Sequence, residues 1–204
     1  MFTAQTLLEG KWALIILLAL TVAGLRWCWP VAAIALVLLV FVISFFRDPE
    51  ATIPADAKVI VAPATGKIVE ITPVGETTMV AIFLTVFDVH VQRSPIAGTI
   101  KSVEYRPGKF LDVRHPQASA SNEYRQIVVE SPDGYRVTVR QIAGLIARRI
   151  VGWRGEGATL AKGERFGMIR FGSRVELFLP AGTEIVAKIG ARAKGGETIV
   201  ARRN

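Results

Sequence analysis

Between Trp12 and Phe46 the chain carries a single charge, Arg26, and no other feature constrains its fold as strongly. A stretch this apolar cannot form the surface of a water-soluble domain, so the N-terminus must fold separately from the rest. It divides into two charge-free runs, 12–25 and 27–46. The second holds about 20 residues, which at about 1.5 Å per residue spans a roughly 30 Å hydrocarbon core. The first, at about 14, is short for an unaided crossing. Between them, Gly24-Leu25-Arg26-Trp27-Cys28-Trp29-Pro30 combines a helix breaker, a cation able to snorkel and two tryptophans suited to headgroups. These features predict a helical membrane hairpin over residues 1–47, or one span preceded by a shallow re-entrant helix. Lys11 followed by an apolar run also matches a secretory signal, but a second, longer run follows without a small-residue cleavage site. Lys11 and Arg47 flank the hairpin and Arg26 sits at its tip. That slight bias predicts a cell-membrane protein with both termini, and so the remaining chain, on the cytoplasmic side.

Past Arg47-Asp48-Pro49 the composition changes to short β-type runs separated by Gly and Pro. The runs are 58–62, 67–71, 78–84, 99–105, 126–130, 136–142, 165–170, 174–179, 184–189 and 198–201. Strands at this spacing, with turns such as Pro132-Asp133-Gly134, predict an antiparallel β domain over 48–204, a barrel or sandwich. Only 141–150 could hold a short helix. Lys+Arg 25 against Asp+Glu 17 gives +8, which favours an anionic partner. With the apolar N-terminus attached, an anionic membrane surface fits best. Aromatics do not interleave with the basic residues, so nucleic acid is not expected. The single cysteine, Cys28, excludes an internal disulfide, and two histidines give no metal-ligand pattern, so no metal is expected. Dinucleotide and phosphate-loop motifs are absent. A homo-oligomer is left open.

Two segments carry chemistry. In Arg170-Phe171-Gly172-Ser173-Arg174-Val175-Glu176-Leu177-Phe178-Leu179-Pro180, a Gly-Ser pair interrupts a strand-like alternation. Glycine in a strand marks a bulge or close approach. The serine after it sets a hydroxyl beside the preceding carbonyl, where an N→O acyl shift is geometrically possible. In the second, a strand from Phe83 runs into Asp88-Val89-His90, followed by Arg93 and Pro95. At strand spacing Asp88 and His90 share a face, so the aspartate could orient an imidazole able to move protons. Taken alone, each is equally an ordinary turn or a solvated strand face. A further polar segment, Ser121-Asn122-Glu123, reads as a surface loop, and His115 is given no role.

Together these segments resemble the phosphatidylserine decarboxylase proenzymes, in their short bacterial and archaeal branch. The likeness runs from about Arg47 to the C-terminus. It includes, in order, Ala62-Pro63-Ala64-Thr65-Gly66-Lys67-Ile68, Asp88-Val89-His90, Tyr105-Arg106-Pro107-Gly108-Lys109-Phe110, Ser121-Asn122-Glu123, Ile142-Ala143-Gly144 and Phe171-Gly172-Ser173. The resemblance implies a self-cleaving, pyruvoyl-dependent enzyme that converts phosphatidylserine to phosphatidylethanolamine and CO₂ at the membrane. Ser173 would attack the Gly172 carbonyl, cleaving the chain into a β part (48–172 with the anchor) and an α part (173–204). Ser173 would become the covalent pyruvoyl cofactor, which forms a Schiff base with the phospholipid substrate. His90 would transfer protons, supported by Asp88. Two positions depart from the family pattern: Thr65 stands where an aspartate is usual, and Arg93 where longer members have a second histidine. The Thr65 departure supports a second reading, an unprocessed, non-catalytic homologue acting as a membrane-anchored lipid-binding or scaffold protein. A third is a carrier-like barrel-sandwich module, which the opening strand around Val61–Val69 resembles but which lacks the modified lysine beside a methionine.

Overall fold

In the computed structural model, residues 2–115, 117–145, 149–170 and 173–203 are described. The chain divides into two compact units, Met1–Glu50 and Ala51–Asn204.

The first unit is a pair of helices, α1 (Ala4–Trp27) and α2 (Trp29–Phe45). Thr3 caps α1, accepting a hydrogen bond from the Thr6 N–H at 3.3 Å while its own N–H donates to Thr6 Oγ1 at 3.2 Å. Pro30 in the first turn of α2 needs no donor there. Only Cys28 separates the helices, and the turn is this tight because Gly24 has no side chain: a Cβ there would meet the Ala32 backbone at 2.6 Å. Small residues (Gly24, Ala32, Ala35) are buried, and the outward surface is apolar, with Ile15, Ile16, Leu18, Val22, Ile34 and Val37 exposed. A water-facing helix would turn a polar face outward, and these two do not. By length and composition α1 is apolar enough to cross a membrane; α2, at 17 residues, is shorter.

The second unit is mainly β and antiparallel. Its strands are β1 (Val59–Val61), β2 (Gly66–Val74), β3 (Thr77–Leu84), β4 (Val91–Arg93), β5 (Gly98–Arg106), β6 (Tyr124–Glu130) and β7 (Arg136–Ile142). They continue with β8 (Arg149–Gly152), β9 (Thr159–Leu160), β10 (Arg165–Arg170), β11 (Ser173–Pro180), β12 (Glu184–Ile185), β13 (Arg192–Ala193) and β14 (Ile199–Arg202); a one-turn helix, α3 (Ala118–Ser121), precedes β6. Eight strands form one curled sheet in the order β13-β2-β3-β11-β7-β6-β5-β9. Two three-stranded sheets, β1-β14-β12 and β4-β10-β8, complete the unit. Bulges at Ile68/Glu70 and Ile100/Ser102 add the local twist that curls a long sheet.

The core follows from period-2 alternation. Val175, Leu177 and Leu179 of β11, Val80, Ile82 and Leu84 of β3, and Val137 and Val139 of β7 are all fully buried or nearly so. They share one apolar cluster with Ile60 of β1, Phe166 and Ile169 of β10, and Val200 of β14. Each such side chain is worth about 1.5–3 kcal/mol of burial. This is the antiparallel, barrel-like architecture expected from the strand spacing.

Local expectations fail where pairing is decided at long range. Residues 141–142 and 149–150, read as part of a short helix, are strand: Ile142 pairs with Arg174 of β11 and Ile150 with Ile169 of β10. Residues 146–148 between them lie outside the described residues. β4, β8, β9 and β13, of two to four residues each, carry too little alternation to be read from sequence.

Candidate active site

β11 begins at Ser173, in the middle of the eight-stranded sheet, where Ser173 pairs with Leu84 and Arg174 with both Phe83 and Ile142. β10, in another sheet, ends at Arg170, so only Phe171 and Gly172 link the two. Both, including the Gly172 proposed from the sequence as the cleavage residue, lie outside the described residues. Ser173 is in phase with Val175, Leu177 and Leu179, so it faces the core side, and it is wholly buried. Its hydroxyl has no hydrogen-bond partner among the described residues. Such a group ordinarily costs about 1–3 kcal/mol, which makes it an exception that needs a reason.

Asp88 and His90 lie in the connection from β3 to β4 and not on a strand, which corrects the shared-face expectation. Asp88 closes a turn: Oδ2 accepts from the Thr85 N–H and hydroxyl, each at 2.8 Å, and Oδ1 accepts from Arg192. The carboxylate is thus engaged away from the imidazole. The backbone carbonyl of Asp88 meets His90 Nδ1 at 2.9 Å instead. A carbonyl can only accept, so Nδ1 carries the proton, and in the neutral ring the lone pair is on Nε2. His90 is fully buried. Its own carbonyl accepts from the Ile169 N–H at 3.3 Å, just ahead of Ser173 in the chain. β3, β4, β10 and β11 therefore bring His90 and Ser173 to one corner.

A buried polar chain, not foreseen from the sequence, runs into that corner. The His90 carbonyl also accepts from Gln92 Nε2 at 2.7 Å, Gln92 Oε1 from Gln141 Nε2 at 2.8 Å, and Gln141 Oε1 from Arg125 Nη1 at 3.2 Å. The direction is fixed at both ends, because a guanidinium only donates and a carbonyl only accepts. Arg125 also donates to the Arg154 carbonyl at 2.6 Å, and burial pushes its pKa below the ordinary guanidinium value. Gly167 leaves room for Gln141, since a Cβ there would sit 3.0 Å from Nε2, and Gly152 leaves room for the Arg125 guanidinium. The signal was present but unread: Arg125 is in phase with Ile127 and Val129, and Gln141 with Val137 and Val139. Polar residues thus stand at core positions of the alternation.

Thr65 is engaged elsewhere. Its Oγ1 accepts from the Gly195 N–H at 2.9 Å. β3 lies between β2 and β11, which puts the start of β2 about two strand spacings, roughly 10 Å, from Ser173. Arg93 is nearly buried and donates to the Gly163 carbonyl at 3.1 Å. Asn122 is a clamp and not a loop residue: it pairs both ways with the Leu111 backbone, at 2.8 and 2.9 Å, and donates to the Ala143 carbonyl at 2.9 Å.

On the opposite face of β11, Glu176 is buried, accepting from the Ser119 hydroxyl at 2.5 Å and Arg174 Nε at 2.8 Å. Arg174 also holds Glu70 at 2.7 Å, and that hydrogen bond, first among its causes, keeps the Glu70 carboxyl below its usual range. Arg140 stacks between Tyr124 and Phe178, 4.7 and 5.0 Å from the ring centres. Glu70, Ser119, Arg140, Arg174, Glu176 and Phe178 line a cavity of about 470 Å³. Among the described residues no three His, Cys, Asp or Glu side chains are grouped to hold a metal ion.

Comparison with known proteins gives concordant matches. The family model described as Phosphatidylserine decarboxylase matches residues 38–201. The phosphatidylserine decarboxylase proenzyme of Nitratidesulfovibrio vulgaris is 48% identical over 183 residues, covering 87% of this chain and 84% of that protein. The proenzyme of Trichlorobacter lovleyi is 48% identical over 176 residues (84% and 80% of the two chains). That of Geobacter sulfurreducens is 42% identical over 193 (90% and 88%).

Proposed function

The chain belongs to the phosphatidylserine decarboxylase family, and from that premise we propose that it is a self-cleaving, pyruvoyl-dependent enzyme that decarboxylates phosphatidylserine at the cell membrane. The observation that carries the self-cleavage is the buried Ser173 hydroxyl without a partner among the described residues. A buried hydroxyl with no partner among the described residues, at the first position of a central strand, supports a nucleophile rather than a packing residue.

In the proposed maturation, Oγ of Ser173 bonds to the Gly172 carbonyl carbon and the Gly172–Ser173 C–N bond breaks, which leaves an ester and a free amine. Loss of the Ser173 α-proton then breaks the ester C–O bond, releasing the Gly172 carboxylate. Water replaces the resulting nitrogen as ammonia, and the pyruvoyl group remains at the head of 173–204. The family's aspartate is absent at Thr65, whose hydroxyl is held by the Gly195 turn, so proton transfer falls to His90 Nε2. Asp88 supports that role through its backbone carbonyl, which fixes the Nδ1–H tautomer, and through the turn its carboxylate closes with Thr85. The pyruvoyl ketone supplies what side chains lack, an electrophile that accepts the substrate amine and the electron pair left as CO₂ departs. His90 then provides the proton to the substrate carbon, while the closed polar chain behind it keeps its backbone fixed.

Membrane location rests on the outward apolar surface of α1 and α2 and on the length of α1. The slight excess of cations flanking the hairpin, Lys11 and Arg47, favours the cytoplasmic side for the second unit.

Ketone reagents test the reading directly. Phenylhydrazine should abolish decarboxylation of phosphatidylserine in vesicles and label only the 173–204 chain. Full activity in its presence would remove the pyruvoyl mechanism. A chain that is never cut and has no activity would favour the non-catalytic, lipid-binding reading, which the threonine at position 65 motivates.

A further inference from the structure

The register places three connections at the same end of the eight-stranded sheet. Ser173 pairs with Leu84, so the β3–β4 turn emerges beside it, and Arg174 pairs with Ile142, so the segment after β7 does too. Arg149, at the start of β8, pairs with Arg170 and joins the same end. In the first two of these connections stand two large, exposed apolar side chains, Phe87 (71%) and Leu145 (58%). Single exposed apolar residues are common. Here they belong to the two connections that flank the start of β11, where the buried Ser173 hydroxyl lies, at a site whose substrate is a bilayer lipid.

Cations share this end of the sheet. Lys67, Arg149 and Arg192 are exposed at this end, and Lys67 pairs with both Phe83 and Arg192. Asp88 is paired with Arg192, whose side chain remains 64% exposed, and Glu123 lies beside the Tyr105 hydroxyl, so three cations face two carboxylates and this end stays positive. Apolar tips flanked by cations are the signature of a surface that lies in the headgroup layer, with the tips below the phosphates and the cations among them.

We propose that this end of the sheet docks on the anionic phospholipid bilayer, with Phe87 and Leu145 inserted and Lys67, Arg149 and Arg192 against lipid phosphate. The proposal rests on the functional reading above and adds to it a second membrane contact, made by the catalytic unit at its own site. Docking there lets a phosphatidylserine headgroup reach the buried corner without its acyl chains leaving the bilayer. The occupant is a lipid surface rather than a protein because both its charge and its apolar depth are complementary to the rim, and because the substrate resides in it.

The test uses the full-length protein reconstituted in vesicles. Phe87→Ser with Leu145→Ser should lower turnover of long-chain phosphatidylserine in the bilayer at least tenfold. Turnover of a short-chain, monomeric phosphatidylserine supplied from solution should stay within about twofold of wild type. Equal loss on both substrates would assign the residues to the integrity of the site, and no loss on either would leave them without a role; both outcomes overturn the proposal. A second readout needs no activity, so it stands even if the chain is never processed. Phe87→Cys in a Cys28→Ser background, carrying an environment-sensitive fluorophore, should shift to the blue as anionic lipid is added to phosphatidylcholine vesicles and revert in high salt. Water-like emission at every lipid composition would overturn docking, whatever the enzyme's state.

Discussion

The two ends of the eight-stranded sheet are built on opposite terms. At the end away from Ser173, polar groups are matched. Tyr135 and Thr183 share a hydroxyl hydrogen bond at 2.7 Å, Arg203 pairs with Asp133 at 3.1 Å, and the Arg203 guanidinium lies 5.0 Å over the Tyr135 ring. At the Ser173 end, polar groups are buried and left incomplete. Among the described residues the serine hydroxyl has no partner, and the buried Arg125 guanidinium donates to two neutral acceptors and to no carboxylate. Unmatched burial destabilises a fold, so it persists only where the surrounding packing is strong enough to hold it and the chemistry needs it. Here the holding is done by Val175, Leu177 and Leu179 on the same strand. One end serves stability and the other carries the groups proposed to react.

The comparison is sharpest at His90. His90→Gln should slow both self-cleavage and decarboxylation by on the order of 10²- to 10⁴-fold, the usual weight of a positioned acid–base group. Asp88→Asn keeps the backbone carbonyl under Nδ1, so it should cost no more than about tenfold; cleavage followed by intact mass over time separates the two. Equal losses would return the supporting role to the carboxylate.

Next in size is Arg125→Met, which strands Gln141 Oε1 in the interior. Urea unfolding should show a loss of about 1–3 kcal/mol. The cleavage rate should also fall, because the His90 carbonyl loses the end of its donor chain. Restored rate in Arg125→Lys, which keeps a cation and donors, would mark a positioning role rather than mere packing. At the matched end, Thr183→Val removes one partner of Tyr135 and should cost about 1 kcal/mol of stability with activity unchanged. A change in activity there would dissolve the contrast between the ends.

The smallest effect is acid sensitivity on the outer face. Arg174 lowers the Glu70 pKa, so the ion pair stabilises the fold fully above the carboxyl's unfolded value of 4.5 and is lost as pH falls through the lower folded value. Glu70 is partly exposed, so the contribution is at most about 0.5 kcal/mol. Glu70→Gln should fall slightly below wild type in thermal stability at pH 7, and the difference should narrow as the pH is taken progressively below 4.5.

Much of the architecture was legible because alternation is a local signal. Val137 and Val139, or Val175, Leu177 and Leu179, announce their strands, and Pro132-Asp133-Gly134 announces its turn, where Gly134 has φ +84. The two-residue strands β9 and β13 and the strand at 149–152 exist only through distant partners, which a single sequence does not display. The candidate site could be proposed from the sequence as residue types, Ser173, His90 and Asp88, and not as contacts. That Asp88 offers its carbonyl to His90 and its carboxylate to Arg192 depends on a turn that strand spacing does not predict. Arg125 and Gln141 were hidden because inward-facing polar residues look like interruptions of a pattern until their partners are seen.

Intact-mass analysis of the purified full-length protein, beside Ser173→Ala, tests the central claim most directly. The account predicts two chains for the wild type, divided after Gly172, with the 173–204 chain blocked at its head and carrying the mass of a pyruvoyl group. It predicts one uncut, inactive chain for the variant. A single full-length mass in a wild-type preparation that decarboxylates phosphatidylserine, or a cleaved and active Ser173→Ala, would contradict it.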